Sequence, residues 1–176
     1  MNKRAAVLGL ATLVCIAGIL AWQLFQTPTG GTAESRQAIL NTALADGQGW
    51  TIASETELDG FVISAAYSAN GKTALAVFKP AAGGRFTLST SATRAGGGAL
   101  ISGAMIHNTW YDLIWLSDAQ AEHAEVYYTV NGQAQDPLLY DVKDGKILCI
   151  ENQEKDYSIS VSYTAGSGKA ARTLQV

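Results

Sequence analysis

The residues best suited to binding chemistry are aromatic side chains next to acidic ones in the second half of the chain. Trp110, Tyr111 and Asp112 are consecutive, and Tyr127 and Tyr128 form a second adjacent aromatic pair. Neighbours on an extended strand point to opposite faces, so we expect one member of each pair at the surface of a sheet with one wet face. Flat aromatic rings beside carboxylates are typical of surfaces that bind glycans or peptides. Aromatic residues are also common in strands, so packing in the core is the alternative interpretation.

Acidic residues are concentrated in one part of the chain. Residues 60–111 hold four basic and no acidic residues, whereas residues 112–156 hold ten acidic residues and three lysines. An acidic face would steer a basic partner or cations toward the protein. The alternative is that the two halves lie on neighbouring strands and pair their charges. The predicted binding residues are Trp110, Tyr111, Tyr128, Asp112, Asp118, Glu122 and Glu125.

Local signatures of catalysis and cofactor binding are absent from the sequence. Asn70-Gly71-Lys72-Thr73 ends like a phosphate-binding loop, but Ala66 replaces the leading glycine and no helical pattern follows. The usual acyl-transfer and zinc-protease motifs do not occur, and two histidines cannot form a three-histidine zinc site. We therefore expect no catalytic residues, no metal site and no cofactor. A hydrolase with scattered carboxylates is the alternative, because such pairs are defined by their separation in space.

The composition is that of a folded domain that does not bind nucleic acid. The 176 residues include 12 basic and 15 acidic ones, 48% are hydrophobic, and the formal net charge is −3. Disordered chains are less hydrophobic, and binding to nucleic acid phosphates requires clustered Lys and Arg. Cys15 lies in an apolar N-terminal run, so Cys149 is expected to be a free, buried and unreactive thiol.

The N-terminal residues have the pattern of a membrane anchor. Residues 5–25 contain no charged side chain, and about 20 apolar residues suffice for a helix to cross a bilayer. Lys3 and Arg4 precede this run and the next basic residue is Arg36, so the positive-inside rule predicts a cytoplasmic N-terminus. The prediction is a single-pass protein of the cell membrane, with residues 1–25 as cytoplasmic tip and transmembrane anchor in the lipid bilayer. A cleavable signal peptide is the alternative.

The rest of the chain is predicted to be mainly β. Residues 26–33 form a flexible linker and residues 34–176 an extracytoplasmic domain, in which Ser35 caps a short helix that ends near Ala45. The hydrophobic period then changes to two, with hairpin turns predicted at Asn70-Gly71, Asn131-Gly132 and Asp144-Gly145. We predict an antiparallel β-sandwich or partial barrel of about nine strands.

These predictions favour a binding function over catalysis. We expect a non-catalytic domain, tethered to the membrane, that binds a protein or a glycan of the cell envelope. A bacterial envelope is favoured because residues 26–176 contain no Asn-x-Ser/Thr sequence and no disulfide framework. A structural or assembly subunit that acts by strand addition is a further alternative, which an exposed edge strand without Lys or Pro would favour.

Overall fold

The computed structural model describes residues 29–44, 49–165 and 174–175, which form a mainly β protein with one α-helix. In chain order the elements are α1 (Ala33–Ala43), β1 (Trp50–Leu58), β2 (Phe61–Ser68), β3 (Lys72–Ala81), β4 (Arg85–Ala95), β5 (Ala99–Ile106), β6 (Thr109–Leu116), β7 (Ala121–Val130), β8 (Gln133–Ala134), β9 (Leu138–Asp141), a 3-10 turn (Lys143–Gly145), β10 (Leu148–Asn152), β11 (Tyr157–Ala165) and β12 (Leu174–Gln175). The predicted anchor at residues 5–25 lies outside the described residues. Within these, no helix has the length and apolar character needed to cross a membrane.

Helix α1 begins and ends earlier than the sequence pattern predicts. Its N-cap is Thr32, not Ser35: the Ser35 amide donates to Thr32 Oγ1 at 3.3 Å, and the Thr32 amide donates to Ser35 Oγ at 3.4 Å. Ser35 therefore completes a capping box, a role usually taken by Glu or Gln. Leu40 of the helix packs on the sheet that contains β1, β2 and β3. Arg36 forms a bidentate ion pair with Glu55 of β1 at 2.8 and 2.6 Å.

Strands β1 to β4 form the first sheet, sheet A, as an antiparallel meander. Both faces of this sheet are covered, which explains the unbroken apolar runs of β2 and β3. Ala74, Ala76 and Phe78 pack on the side of α1, whereas Leu75 and Val77 pack against a second sheet. Sheet A is therefore an inner layer.

A β-bulge in β1 changes which side chains face the helix. Ile52 pairs with Ala66 and Ser54 pairs with Ala65, which are consecutive residues of β2. Ala53, between Ile52 and Ser54, has no partner in the ladder. The extra residue moves every later side chain of β1 to the other face relative to a simple alternation. Glu55 consequently lies on the helix side, where it meets Arg36.

The remaining strands form two further antiparallel sheets. Sheet B has the order β10-β6-β5, and sheet C has the order β12-β11-β7-β8 with β9 also paired to β7. Leu113 and Trp115 of β6 pack with sheet A, while Ile114 and Leu116 pack with sheet C. The described residues thus form four layers, α1 followed by sheets A, B and C. The predicted antiparallel β character is confirmed, but the strands form three sheets, unlike a simple sandwich or barrel.

The hairpins predicted at Asn70-Gly71 and Asn131-Gly132 are confirmed, because they join β2 to β3 and β7 to β8. The hairpin predicted at Asp144-Gly145 is wrong. Both residues have the expected positive φ, 62° and 69°, but β9 pairs with β7 in sheet C and β10 pairs with β6 in sheet B. This turn therefore carries the chain from one sheet to another.

Candidate functional site

A buried carboxylate with four side-chain donors lies between sheets B and C. Asp112 of β6 is only 3% exposed. Its Oδ1 accepts from Tyr157 Oη at 2.6 Å and, more weakly, from Trp110 Nε1 at 3.4 Å. Its Oδ2 accepts from Asn152 Nδ2 at 2.8 Å and from Tyr128 Oη at 2.9 Å. A carboxylate offers about four acceptor positions, so these donors occupy all of them.

Strand pairing brings these residues together from four strands. Trp110 and Asp112 are two residues apart on β6 and therefore share a face. Asn152 of β10 pairs directly with Trp110. Tyr128 lies on β7 and Tyr157 on β11, both in sheet C. The hydrogen bonds of Asp112 consequently tie sheet B to sheet C.

The Trp110 ring is held by a hydrogen bond and by its fit over a glycine. Trp110 Nε1 donates to Tyr157 Oη at 2.9 Å, and that hydroxyl donates on to Asp112 Oδ1. Hydrogen bonds in such a chain strengthen one another by polarisation. Gly103 of β5 leaves room for the ring, since a Cβ there would lie 2.1 Å from Trp110 Cζ2. The ring is fixed in this way, and Trp110 as a whole remains 39% exposed.

The orientation of the Asn152 amide is also fixed. Its Nδ2 donates to Asp112, and its Oδ1 accepts from the Glu154 amide at 2.9 Å. If the amide were flipped, its oxygen would face the Asp112 carboxylate and its NH2 group would face the Glu154 N–H. Both hydrogen bonds would then be lost.

Burial and the carboxylate keep both tyrosines of the cluster protonated. Burial raises the pKa of Tyr128, and the charge of Asp112 and the hydrogen bond to it raise the pKa further. The pKa of Tyr157 is raised by burial and by its bond to Asp112, against the opposing effect of the bond from Trp110. Both hydroxyls therefore remain donors at neutral pH.

The larger of two clefts beside the cluster, which we name the Trp110 cleft, has a volume of about 600 Å³. Trp110 and Tyr157 supply aromatic surface to its lining, and Asn108, Gln153 and Glu151 supply polar groups. A rigid, exposed ring next to amides and carboxylates suits a ligand that has both flat apolar faces and hydroxyl groups.

A second cleft, of about 300 Å³, lies on the Tyr128 side of the cluster. Its lining is partly apolar, from Val130 and Leu138. Glu151 and Asn152 line both clefts. Glu154 also lines both, so the two clefts adjoin at the end of β10 and the connection that follows it.

Part of the predicted set of binding residues comes together in this cluster. Trp110, Asp112 and Tyr128 are joined directly or through Tyr157. Tyr111 packs against the core between sheets A and B, on the opposite face of β6. Because Asp112 and Tyr128 are buried, Trp110 is the predicted residue that offers exposed surface in the Trp110 cleft.

The other predicted acids lie apart from the cluster. Asp118 closes the turn after β6, where its Oδ1 accepts from the Gln120 amide at 2.9 Å. Glu122 is exposed on β7, and Glu125 on the same strand accepts a hydrogen bond from the Tyr127 hydroxyl. None of the three acids lines the Trp110 cleft.

The basic part and the acidic part of the chain lie in different sheets. The four basic residues of residues 60–111 all lie on β3 and β4 of sheet A, whereas the acidic residues of 112–156 lie on sheets B and C and their connections. In the described structure β3 and β4 pair only within sheet A. The alternative in which the two halves pair their charges across neighbouring strands is therefore wrong.

Sequence reasoning missed Tyr157, Asn152 and Gly103. Tyr157 and Asn152 are 45 and 40 residues from Asp112 along the chain, and no spacing links them to it. Gly103 lies inside an otherwise ordinary strand, where an isolated glycine is a general signal for a bulge or a close approach. That signal indicates that something lies over β5, but it does not identify Trp110.

Neither a metal site nor a reactive thiol is found among the described residues. No group of three or more His, Cys, Asp or Glu residues there is close enough to hold a metal ion. Cys149 is a free, half-buried thiol, and burial raises its pKa to about 11. Little of the reactive thiolate therefore exists at neutral pH.

Comparisons of the chain with protein-family models, with curated proteins and with solved structures found no match. The residues that the structure describes form three antiparallel sheets and one covering helix, with an aromatic cleft beside a buried carboxylate, and these features define the class of the protein.

Proposed function

We propose that this protein is a non-catalytic binding module of the cell envelope, tethered by residues 5–25, and that the Trp110 cleft binds a glycan. The observation that carries the proposal is the Trp110 ring, which is exposed at the cleft yet held by Tyr157 and by its fit over Gly103. A ring fixed before binding loses little conformational entropy when a ligand packs on it.

The lining of the cleft favours a sugar over a purely apolar ligand. The flat faces of sugar rings pack on aromatic side chains, while their hydroxyl groups need donors and acceptors. Asn108 and Gln153 offer both kinds of group, Glu151 and Glu154 offer acceptors, and Lys155 offers donors. The cleft volume of about 600 Å³ lies within the range of small-molecule sites.

Asp112 supports binding as a positioning residue. Its four acceptor positions are taken by side chains, so it has none left for a substrate proton or a water. The hydrolase alternative would therefore have to rely on Glu151 and Glu154 at the rim of the cleft. A binding role would use the whole cluster around Asp112, whereas hydrolysis would use only the two glutamates at the rim of the cleft.

The test is a binding titration of the full-length protein with an N-acetylglucosamine tetrasaccharide and sedimentation with purified peptidoglycan. Trp110→Ala is expected to weaken binding at least tenfold, about 1.4 kcal/mol. Tyr127→Ala is the matched control, because Tyr127 is 36% exposed on β7 and does not line the cleft. Equal binding by both variants, or binding by neither the wild type nor the variants, would reject the glycan proposal.

A second candidate function is assembly by strand addition at β4. This strand has 11 residues, contains no Lys or Pro, and pairs only with β3 in the described structure. Its charged residues, Arg85 and Arg94, stand near the two ends, so the middle of the edge carries no charge and is suited to pairing with another chain. At one point the edge is occupied, because the Phe86 amide donates to the Thr29 carbonyl at 2.7 Å.

Crosslinking of the full-length protein in native membranes tests this second function. A partner captured by the wild type is expected to be lost in Thr87→Lys, because Thr87 is exposed on β4 and a charge there opposes edge pairing. Leu139→Lys, on the exposed part of β9, is the control. A partner that is lost in the β9 variant and retained in the β4 variant would exclude β4 as the binding edge.

A further inference from the structure

The hairpin between β3 and β4 extends beyond the pairing of β3 with β2. The ladder between β2 and β3 ends with Val62 opposite Phe78, whereas β3 and β4 stay paired as far as Ala81 opposite Arg85. Three more residues of β3 correspond to about 10 Å of strand. Residues 79–85 are all exposed, and we name them the β3–β4 tip.

The chain enters the domain beside the β3–β4 tip. Thr29, the first described residue, accepts a hydrogen bond at its carbonyl oxygen from the Phe86 amide at 2.7 Å. Gly30 follows with a φ of 69°, and a Cβ on it would lie 2.5 Å from the Phe86 carbonyl oxygen. The Gly30 carbonyl in turn accepts from Arg36 Nη1 at 2.7 Å. Residues 29–30 are therefore held against the beginning of β4.

The short linker keeps the β3–β4 tip close to the bilayer, a step that rests on the tether proposed above for residues 5–25. Four peptide units join residue 25 to Thr29, and a chain of this length spans at most about 14 Å. The headgroup layer of one leaflet is about 5 to 8 Å thick. Thr29 is therefore confined to a zone that begins at the hydrocarbon edge and ends just above the headgroups.

The composition of the β3–β4 tip suits contact with phosphate groups. Lys79 and Arg85 stand at its two ends, and the five residues between them are Pro, Ala and Gly. Among the described residues, neither cation has an ion-pair partner. An ammonium group and a guanidinium group both bind phosphate oxygens through charge-assisted hydrogen bonds. The small side chains between the two cations leave room for lipid headgroups to reach both.

The acids at this end of sheet A lie apart from the two cations. Glu57 and Asp59 belong to β1 and the turn after it, so β2 separates them from β3. Strands β1 and β3 are about 10 Å apart across β2. This distance exceeds the Debye length of about 8 Å in physiological salt, so the two acids offset little of the charge of exposed Lys79. Glu34, in the first turn of α1, interacts electrostatically with Arg36.

We propose that the β3–β4 tip rests on the bilayer, where Lys79 and Arg85 bind the phosphate groups of anionic lipids. Each basic residue near an anionic surface strengthens such a contact about fivefold. The contact orients the domain on the membrane. The β3–β4 tip faces the lipids, and the turn between β2 and β3, at the other end of β3, faces away from them.

The experiment measures how close the tip comes to the headgroups in vesicles that contain the full-length protein. A bimane label is attached at Ala82→Cys in the tip or, as the matched control, at Ala69→Cys in the turn between β2 and β3, since both alanines are exposed. Both variants also carry Cys15→Ala and Cys149→Ala. In mixed phosphatidylcholine and phosphatidylglycerol vesicles, spin-labelled headgroups should quench the label at position 82 at least about threefold more strongly than at position 69.

Removal of the two cations tests their role in the contact. Lys79→Gln with Arg85→Gln should lower the quenching at position 82 at least about threefold, and so should vesicles of phosphatidylcholine alone. Lys143→Gln with Lys146→Gln is the control, because it removes the same charge from exposed residues at the 3-10 turn and should leave this quenching unchanged.

Flotation of the vesicles after a high-salt wash separates a failed tether from a failed contact. Protein that does not float with the vesicles would overturn the tether and the tip contact together. Protein that floats, but with equal quenching at positions 82 and 69, would overturn the tip contact and leave the tether standing. Quenching at position 82 that ignores both the loss of phosphatidylglycerol and the loss of the two cations would overturn it as well.

Discussion

Replacement of Asp112 by Asn tests whether the buried carboxylate organises the Trp110 cleft. The change keeps the shape of the side chain but removes its charge and turns one oxygen into an NH2 group. Asn152 must remain a donor toward position 112, because its own Oδ1 holds the Glu154 amide. The new amide therefore keeps its oxygen toward Asn152 and Tyr128 and turns its NH2 group toward Tyr157.

The size of the effect follows from these contacts. The bonds from Asn152 and Tyr128 change from charge-assisted to neutral, which weakens each by about 1 kcal/mol. Trp110 Nε1 loses its weaker contact at 3.4 Å, and the Tyr157 hydroxyl can no longer donate to position 112 but must accept from the new NH2 group. We expect the free energy of unfolding to fall by about 2 to 3 kcal/mol. The pKa of Tyr128 should also fall, because the charge of Asp112 is one cause of its elevation.

Urea unfolding followed by tryptophan fluorescence measures the first quantity, and ultraviolet titration of tyrosine ionisation measures the second. Glu122→Gln is the control, because it removes the same charge from an exposed position and should change stability by less than about 0.5 kcal/mol. If Asp112→Asn costs no more than this control, the carboxylate does not hold the cluster together and the reasoning is refuted.

Three further predictions concern other parts of the fold. Gly103→Ala should push the Trp110 ring aside by about 1 Å or more and cost about 1 to 3 kcal/mol of unfolding free energy, because its Cβ would lie 2.1 Å from the ring; wild-type stability with unchanged indole NMR shifts would contradict this. Arg36→Met should cost about 3 kcal/mol in urea unfolding, because it leaves the Glu55 carboxylate half-buried without its ion pair. Burial raises the pKa of Glu55, but the hydrogen bonds from Arg36 and Ser64 and the charge of Arg36 together lower it by more, so the stability from this pair is complete above about pH 4.3 and is lost as the pH falls further; an Arg36→Met variant with the same acid profile as the wild type would disprove it. Cys149 should react with a thiol reagent at neutral pH at least tenfold more slowly in the folded protein than in urea, because burial raises its pKa to about 11; equal rates would show that the thiol is not protected.

The sequence predicted those features that depend on neighbouring residues. The Asn-Gly pairs at Asn70-Gly71 and Asn131-Gly132 determine hairpins, because the turn conformation is a local property of the backbone. The alternating pattern likewise predicted antiparallel β structure and opposite faces for Trp110 and Tyr111. Asp144-Gly145 has the expected turn conformation, but the partner of the following strand is not a local property, so the predicted hairpin failed.

The composition of the site was decided by the tertiary structure. The sequence predicted Asp112 to be one acid of an acidic surface. Strand pairing instead buries it with Tyr157 and Asn152, which are 45 and 40 residues away. The bulge at Ala53 decided in the same way that Glu55 would meet the helix. Backbone alternation sets the face of a side chain, but which strands pair and which sheets stack depends on the burial of whole apolar faces. The sequence by itself therefore determined the local turns and the alternation of side chains along each strand, and only the stacking of sheets A, B and C decided which side chains meet.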